Sequence, residues 1–411
     1  MRKILSAHII FVLLLAASFC TAKEYTKPPT KAAVFFYRAS EWIDHYVTQG
    51  IDTNYIGLPE HSWRFAYTNG MVGINSIFGA ENMYDPESKS LYNRYVHIRS
   101  TPSVNLGFQA GFRGFGFGYS WDAVHAYSQN MNFSLGGKYI GVEFMRQRSR
   151  NTQASIGDKA PSNTYSLNRY DVNNEITNTT VNVWYALNSA HYSHNAAIKQ
   201  SYIQKKTAGS LLLQATYLST RTDIDSRLFE AMGNLIGVET HQVGIGLGYG
   251  INYTPNNGKV LLHASAIAQL ICFSHNLITQ YDTIHANIGG GDSLIQIDRL
   301  YRISSRYPVH VTGTMRAAVS WEINKWVHLS AWVQANNIRF MARTMNADVN
   351  LSNWNWQVNL IVGIRLGAGY ERRKYVLDSV DGDSRPENRP IRQPRTKLPK
   401  WLTDFFYSPR P

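Results

Sequence analysis

The strongest constraint on the fold is an eleven-residue stretch, Val243–Tyr253, in which bulky residues alternate with glycines (VGIGLGYGINY). Side chains of an extended strand point alternately to its two faces, so one face here is apolar or aromatic and the other is almost bare. A helix would scatter these residues around its circumference, and each glycine would cost it about 1 kcal/mol relative to alanine. The stretch therefore predicts a β-strand whose apolar face lies either in the core of a soluble sandwich or against lipid.

The amino-acid composition favours a membrane barrel over a soluble sandwich. Aromatic residues make up 13% of the 411-residue chain, while charged residues make up only 17%. Such a balance is unusual for a soluble protein, and girdles of Tyr and Trp are typical of outer-membrane barrels. No later segment has about 18 consecutive apolar residues, so the sequence predicts no transmembrane helix beyond its N-terminus.

The first 22 residues predict a secretory signal peptide. A positive start and a short apolar run precede Cys20-Thr21-Ala22, which offers small residues for cleavage. Lipidation of Cys20 is the alternative, and it is disfavoured because the bulky Phe19 stands where a lipobox needs a small residue. Cleavage after Ala22 would leave Cys272 as the one remaining cysteine, so no internal disulfide is expected in the mature chain.

Strand patterns continue from Trp63 to Gly367. Leu106–Tyr119 is interpreted as a hairpin with a tight turn at Arg113-Gly114, because such a turn explains why the alternation changes phase there. A bulge within one long strand is the alternative. Trp354–Gly367 has Trp, Val, Leu and Ile on one face and amides with an arginine on the other. That polar face suits a wet lumen, and the apolar face suits lipid.

Long polar connections separate some of these strands, at residues 80–91, 148–175 and 274–306. Long loops at one mouth and short turns at the other are typical of outer-membrane barrels, whereas they are uncommon in a compact soluble sandwich. The chain is therefore predicted to be all-β. We expect a transmembrane antiparallel β-barrel of about 12 strands, within a range of roughly 10–14 and with an even number favoured.

Other segments flank the predicted barrel, which is expected over residues 62–369. Residues 23–61 are expected to hold a linker and a short amphipathic helix over Phe36–Val47. The helix would rest on the periplasmic rim, with the bilayer interface or the lumen as alternatives. Residues 370–411 are basic and rich in proline, which predicts an extended tail. That tail would either dock on the barrel or a periplasmic partner, or stay disordered.

The polar faces of the strands define a candidate lumen. Its charged and ionisable candidates are Arg316, Arg365, Arg339, Glu143, His263, His310 and His328. Such charges select solutes in wide pores, but in barrels of about 12 strands or fewer they pack as internal ion pairs by default. No catalytic residue is assigned, because a histidine beside Ser265 or Ser320 would lack an acid to orient it. No metal site or cofactor is expected either, since each strand offers one histidine ligand.

One segment carries a family resemblance. Its motif is Gln200-Ser201 followed by Gln204-Lys205-Lys206-Thr207-Ala208-Gly209-Ser210, downstream of an aromatic strand at Val183–Asn188. With the hydrophobic–glycine strands, this motif resembles the domain of unknown function 4421 family, predicted outer-membrane barrels of Bacteroidota. The resemblance runs from about Asn54 to Gly369, with Thr207 where the family has Ser. It implies a barrel and an outer-membrane location, but no activity, so no catalytic residue can be carried over.

Three lysines belong to this part of the chain: Lys199, Lys205 and Lys206. Facing the middle of a bilayer, each would cost about 2–4 kcal/mol, so they are expected at a periplasmic turn, at the interface or towards the lumen. A turn anchored to lipid headgroups is the favoured interpretation. A site for an anionic ligand is the alternative.

The formal charge is +13, and it falls to +11 without residues 1–22, which contain Arg2 and Lys3 and no Asp or Glu. No nucleic-acid module is recognisable, so basic loops are expected to face outer-membrane lipid and lipopolysaccharide rather than nucleic acid. The sequence favours a narrow pore or uptake channel for a small polar or anionic solute. A membrane-embedded scaffold for a periplasmic or surface partner is the alternative, and an enzyme acting on lipid or lipopolysaccharide is the least supported hypothesis.

Overall fold

The computed structural model describes residues 31–85, 89–100, 103–125, 127–137, 139–150, 152–157, 169–228, 235–255, 258–287, 294–306, 309–343 and 348–366. The expected signal peptide and the expected C-terminal tail lie outside these residues. The described chain begins with helix α1, Lys31–Thr48, which confirms the predicted N-terminal helix and lengthens it at both ends. None of the helices in these ranges is long and apolar enough to cross a membrane.

The strands formed by the described residues are β1 (Ile56–Gly57), β2 (Trp63–Asp85), β3 (Ser90–Ser100), β4 (Ser103–Phe112), β5 (Phe115–Asp122), β6 (Ser128–Gly136), β7 (Ile140–Ser149), β8 (Thr152–Gly157), β9 (Arg169–Val172), β10 (Glu175–Ala186), β11 (Ile203–Gln204), β12 (Ala208–Asp223), β13 (Leu235–Tyr253), β14 (Val260–Asn287), β15 (Leu294–Arg306), β16 (His310–Glu322), β17 (Val327–Arg343) and β18 (Asp348–Leu366). A short helix, α2 (His194–Ile198), lies between β10 and β11. A 3-10 turn at Ser226–Leu228 follows β12.

Twelve of these strands close into one antiparallel ring. Each pairs with the next in the order β2, β4, β5, β6, β7, β10, β12, β13, β14, β16, β17, β18, and β18 then pairs back onto β2. Closure matters because unpaired backbone groups at a sheet edge cannot be satisfied in lipid. The predicted transmembrane barrel of about 12 strands is confirmed.

The two mouths of the ring differ. At one mouth, β2 extends to pair with β3, β3 pairs with β8, and β14 extends to pair with β15. The other mouth has tight connections, among them the predicted hairpin turn at Arg113-Gly114, which is confirmed by the pairing of Phe112 with Phe115. Short turns are periplasmic in outer-membrane barrels. We therefore name the mouth with short turns the inner mouth and the other the outer mouth.

The alternating stretch at the end of β13 places its bulky residues on the exterior. From Val243 to Tyr253 these side chains are 41–61% exposed, while the intervening Asn252 is fully buried in the barrel. Exposed tryptophans stand near both ends of the wall, Trp63 and Trp321 towards the inner mouth and Trp121 and Trp354 towards the outer. An apolar band between aromatic residues is the exterior that lipid requires.

A buried apolar core lies in the outer half of the barrel. Its buried members come from strands on opposite sides of the ring: Ile74, Phe78, Val96, Ile98, Ala154, Ile176, Ile224, Leu228, Leu235, Val238, Ile278, Phe340, Val349 and Leu351. Because these side chains meet across the ring, they close the lumen near the outer mouth. The buried ion pairs of Glu143 and Arg365 lie nearer the inner mouth, and the candidate site lies there.

Candidate functional site in the barrel lumen

The connection between β10 and β12, residues 187–207, folds back into the barrel at the inner mouth, and we call it the plug. Every residue of α2 within it is buried, and Tyr192 is 0% exposed. Its β11 pairs with β1 from the N-terminal segment. The plug also packs against Val47 of α1 and Leu261 of β14. The plug and α1 together close the inner mouth.

Much of the family motif lies in the plug. Gln200, Ser201 and Gln204 are 2%, 8% and 1% exposed, whereas Lys205 and Lys206 are exposed. The favoured interpretation of lysines at a turn anchored to headgroups is wrong for Lys199, which lies inside the barrel 3.3 Å from Glu143. The remainder of the motif, Ala208-Gly209-Ser210, begins strand β12.

A buried carboxylate joins the plug to opposite walls of the barrel. Glu143 on β7 accepts a hydrogen bond of 2.5 Å from Arg316 on β16, and its other oxygen lies 3.3 Å from Lys199 Nζ in the plug. Strands β7 and β16 are not neighbours in the ring, so this contact crosses the lumen. Glu143 and Arg316 are therefore lumen residues, as expected, and two cations share one carboxylate.

A second cluster of charged side chains, built around Arg365, lies in the same part of the lumen as Glu143. Arg365 on β18 donates hydrogen bonds from both terminal nitrogens to the carboxylate of Glu322, and the bond from Nη2 is 2.6 Å long. Arg64 on β2 is its direct partner in the sheet register. Arg64 was not among the predicted lumen residues, although its place between Trp63 and Phe65 in an alternating strand marks it as inward-facing.

His263 takes part in a network that the sequence analysis did not foresee. Its Nδ1 lies 2.8 Å from Asn252 Oδ1, and its Nε2 lies 3.2 Å from Ser265 Oγ. Asn252 donates from Nδ2 to Ser193 O at 2.8 Å and to Gln204 Oε1 at 3.0 Å. Because its Nδ2 donates, its Oδ1 accepts, so the network assigns the proton to Nδ1 of the histidine.

Hydrogen bonds thus link Ser265, His263 and Asn252 in the order of a catalytic triad, but the plug encloses these side chains. His263 is 4% exposed and Ser265 is 7% exposed. Tyr192 and His194 of the plug lie against the His263 ring, with centroids at 6.5 Å and 5.3 Å. A substrate has no approach to this serine while the plug is in place. The arrangement fastens the plug to the wall.

The three candidate histidines do not come together. His310 is in register with Ile271, eight residues beyond His263 on the same strand, or about 26 Å at roughly 3.3 Å per residue. His328 is fully buried near the inner mouth, in register with Glu322. Among the described residues, no group of three or more His, Cys, Asp or Glu side chains could hold a metal ion.

Arg339 is exposed, so its prediction as a lumen residue is wrong. Its neighbours Ile338 and Phe340 are buried, at 1% and 2% exposure. The reason lies in the apolar filling of the outer half of the barrel. On β17 at that level Ile338 and Phe340 face inward, so Arg339 between them faces outward.

Helix α1 is fixed across the inner mouth by an ion pair. Asp44 binds Arg113 of the β4–β5 turn, whose Nη2 donates to Asp44 Oδ2 at 2.8 Å and whose Nη1 donates to Pro59 O at 2.7 Å. Tyr202 of the plug donates its hydroxyl to Val47 O at 3.4 Å. The helix therefore lies on the rim, where it was expected, and it covers the plug as well.

Several solved outer-membrane barrels are similar to this chain in fold. The outer membrane protease OmpT of Escherichia coli matches with a TM-score of 0.33 at 7% identity, covering 74% of this chain and 97% of OmpT. OprG of Pseudomonas aeruginosa matches with a TM-score of 0.28 at 9% identity, covering 75% and 98%. The toluene transporter TodX of Pseudomonas putida matches with a TM-score of 0.24 at 7% identity, covering 74% and 90%. Similarity at this level says nothing about activity.

No curated protein matches the chain in sequence. A family comparison does match, over residues 51–378, a span that contains the twelve strands of the ring and the plug. The matching family is described as "Domain of unknown function (DUF4421)". This protein belongs to that family.

Proposed function

We propose that the protein is an outer-membrane channel for small anionic or polar solutes, whose inner mouth is closed by the plug and α1. The supporting observation is the charge balance near that mouth. Among the described residues, five largely buried basic side chains, Arg64, Arg113, Lys199, Arg316 and Arg365, lie near three carboxylates, those of Asp44, Glu143 and Glu322. Asp52 and Glu60 at the same mouth are more exposed and pair with His191 and Lys325. An excess of positive charge in a narrow lumen attracts anions and repels cations.

The lumen wall between the plug and the apolar core of the outer half favours a polar solute as the transported molecule. Its inward residues on β18 include the amides Asn353, Asn355, Gln357 and Asn359, which are 0–5% exposed. Each has at least one nitrogen or oxygen without a hydrogen-bond partner among the described residues. Buried polar atoms are almost always paired. A row of such amides offers successive contacts to water or to a polar solute.

Many of the contacts that hold the plug to the wall are polar. The plug meets the wall through ion pairs and amide hydrogen bonds at Lys199, Ser193 and Gln204. The amide hydrogen bonds exchange for contacts with water at a net cost of about 0.5–1.5 kcal/mol each, and the charged contact of Lys199 costs more. Opening at the inner mouth therefore needs a movement of the plug that also separates its apolar contacts with Val47 and Leu261.

Conductance in planar bilayers tests the channel. We expect rare openings for the wild type and more frequent, anion-selective openings for a variant in which a short glycine–serine turn replaces residues 189–206, because the apolar core of the outer half is then the remaining barrier. The reversal potential across a KCl gradient gives the selectivity, and a heat-dependent gel shift confirms that each protein is folded. Absence of current at every voltage in both folded proteins would rule out the channel.

A membrane scaffold is the second candidate, and the apolar core of the outer half favours it. Leu351, Phe340 and their neighbours close the ring from wall to wall, so passage of a solute would require that core to move. A scaffold needs no such movement. Its test is affinity capture with the full chain and with a chain ending at residue 370. The scaffold would be supported if the full chain captured one defined periplasmic protein that the shortened chain did not. Capture of the same proteins by both chains would count against it.

A further inference from the structure

Two buried arginines stand side by side at the inner end of the lumen. Arg64 on β2 and Arg365 on β18 are opposite each other in the sheet register. They are 7% and 2% exposed. Like charges directly opposite in a sheet are destabilising, and burial strengthens their repulsion because the local dielectric is low. An arrangement of this kind needs negative charge close by.

The described side chains supply too little negative charge for both arginines. Glu322 takes the two terminal nitrogens of Arg365. Arg64 contacts two neutral amides instead, donating from Nη2 to Gln109 Oε1 at 3.2 Å and from Nη1 to Gln200 Oε1 at 3.5 Å. A guanidinium has five N–H donors, and these contacts use two of them, neither with a carboxylate.

Two further groups enlarge the excess of donors and positive charge. The Nε–H of Arg365 is buried and has no acceptor among the described residues. Lys199 lies close enough to Arg64 for their charges to interact, and it already shares Glu143 with Arg316. Glu322 is near enough to attract Arg64 as well, but this one carboxylate then serves two arginines. A buried cation that lacks a counter-ion of its own is costly, and the missing partner is an anion.

A small cavity lies among these groups. Its lining includes Arg64, Arg365, Lys199, Gln200 and Ser201, and its volume is about 10 Å³. That volume holds about one particle the size of a water molecule. A single halide ion is of that order of size, whereas phosphate and sulfate carry four oxygens around a central atom and would have to displace side chains.

We propose that this cavity is a halide site, in which chloride is the counter-ion of Arg64 and receives the free Nε–H of Arg365. The plug contributes to the site, because Gln200 holds Arg64 from a left-handed backbone conformation with φ of 50°. Chloride at this position therefore binds the plug and the wall at once and stabilises the closed inner mouth. The site exists whether or not the barrel conducts.

Thermal unfolding in different sodium salts tests the site. The folded mature chain in detergent is heated in chloride, bromide, gluconate or sulfate at equal ionic strength. A ligand that binds only the folded state raises Tm, and we expect chloride and bromide to raise it by about 3–5 °C above gluconate and sulfate. Arg64→Gln should abolish the difference. Arg221→Gln, which removes an exposed arginine of β12, should preserve it.

Crystals soaked in bromide provide a second readout that does not depend on the stability of a variant. Anomalous scattering should show one bromide between the guanidinium groups of Arg64 and Arg365. Equal Tm in all four salts, an anion effect that survives Arg64→Gln, or a bromide-soaked crystal without that peak would overturn the proposal. The conductance experiment is separate, since a barrel without current can still bind chloride and a conducting barrel can lack the site.

Discussion

The hydroxyl of Tyr192 in the plug occupies the space that a side chain at Gly250 on β13 would fill, since a Cβ built on Gly250 would overlap it. Gly250 belongs to the bare face of the strand from Val243 to Tyr253. Further along that face, Gly244 and Gly248 are crowded by the side chains and backbone of the neighbouring β14. The glycines therefore make room for the plug at one end of the strand and for close packing of two strands along the rest.

Enlarging Gly250 should displace the plug. In the variant Gly250→Val, the new side chain competes with Tyr192, and overpacking of this kind costs about 1–3 kcal/mol. We expect trypsin to cut the chain after Lys199, which the wild-type barrel protects. The control is Gly313→Val, because a Cβ at Gly313 meets nothing closer than Ile267 O at 3.7 Å. Equal resistance of the two variants to trypsin would show that Tyr192 does not depend on Gly250.

Removing the shared carboxylate should destabilise the whole barrel. Glu143→Gln leaves Arg316 and Lys199 in the lumen without their counter-ion, and breaking a buried pair in this way costs about 3–5 kcal/mol. The free energy of unfolding in urea, followed by tryptophan fluorescence, measures the loss. Glu239→Gln is the control, because Glu239 is 40% exposed and its partner is a histidine.

A second substitution distinguishes lost charge from lost shape. If the unpaired cations cause the loss, Glu143→Gln should cost less in a Lys199→Met background than in the wild type. A cost that is the same in both backgrounds would mean that Lys199 and Glu143 are not coupled.

The strands and their faces could be predicted because the signal is local. Alternation with period two is visible within one segment, and it placed Glu143, Arg316 and Arg365 inside and Val243 outside. Arg339 was wrongly predicted to face the lumen: the strand alternates there too, but its apolar residues face inward and the arginine faces outward. The exterior of the outer half does not have to be apolar, because the extra strands β3 and β15 extend beyond the ring there.

The plug could not be predicted because nothing in its own sequence sets its place. Its residues have no strand or helix period, and their burial comes from contacts with distant parts of the chain. Ser193 is held by Asn252, and Gln200 is held by Arg64 and Ser320. The lysines and glutamines of the family motif were visible, but their environment depends on these long-range partners.

The ion pair between α1 and the barrel should control how firmly the helix covers the inner mouth. Asp44→Asn weakens the charged hydrogen bonds to Arg113, whose side chain is 2% exposed, and we expect a loss of about 1.5–3 kcal/mol in local stability. Amide hydrogen exchange of residues 34–48 measures it. The control Asp223→Asn removes a carboxylate whose pair with Arg221 is half-exposed, so exchange of α1 should stay at the wild-type rate. Unchanged exchange in Asp44→Asn would mean that other contacts hold the helix.

At the outer mouth, Asp225 should make the connection between β12 and β13 sensitive to acid. Its carboxylate accepts a hydrogen bond of 2.7 Å from Arg227 Nη2, another of 3.0 Å from the Arg227 backbone N–H, and one of 2.7 Å from the Asn173 backbone N–H. The side chain of Arg227 is the largest of the influences that hold the pKa of Asp225 well below its ordinary value of 3.8.

Because the folded state lowers this pKa, the charged carboxylate stabilises the fold above the ordinary value, and that stability is lost as the pH falls through the folded value. The wild type should therefore unfold at a higher urea concentration than Asp225→Asn, by a constant margin from pH 8 down to about 5 and by a shrinking margin below about 4. Unfolding midpoints measured across this range give the margin. A margin that stayed constant down to pH 2 would show that asparagine fails because of its shape or hydrogen bonding, and that the charge of Asp225 contributes nothing.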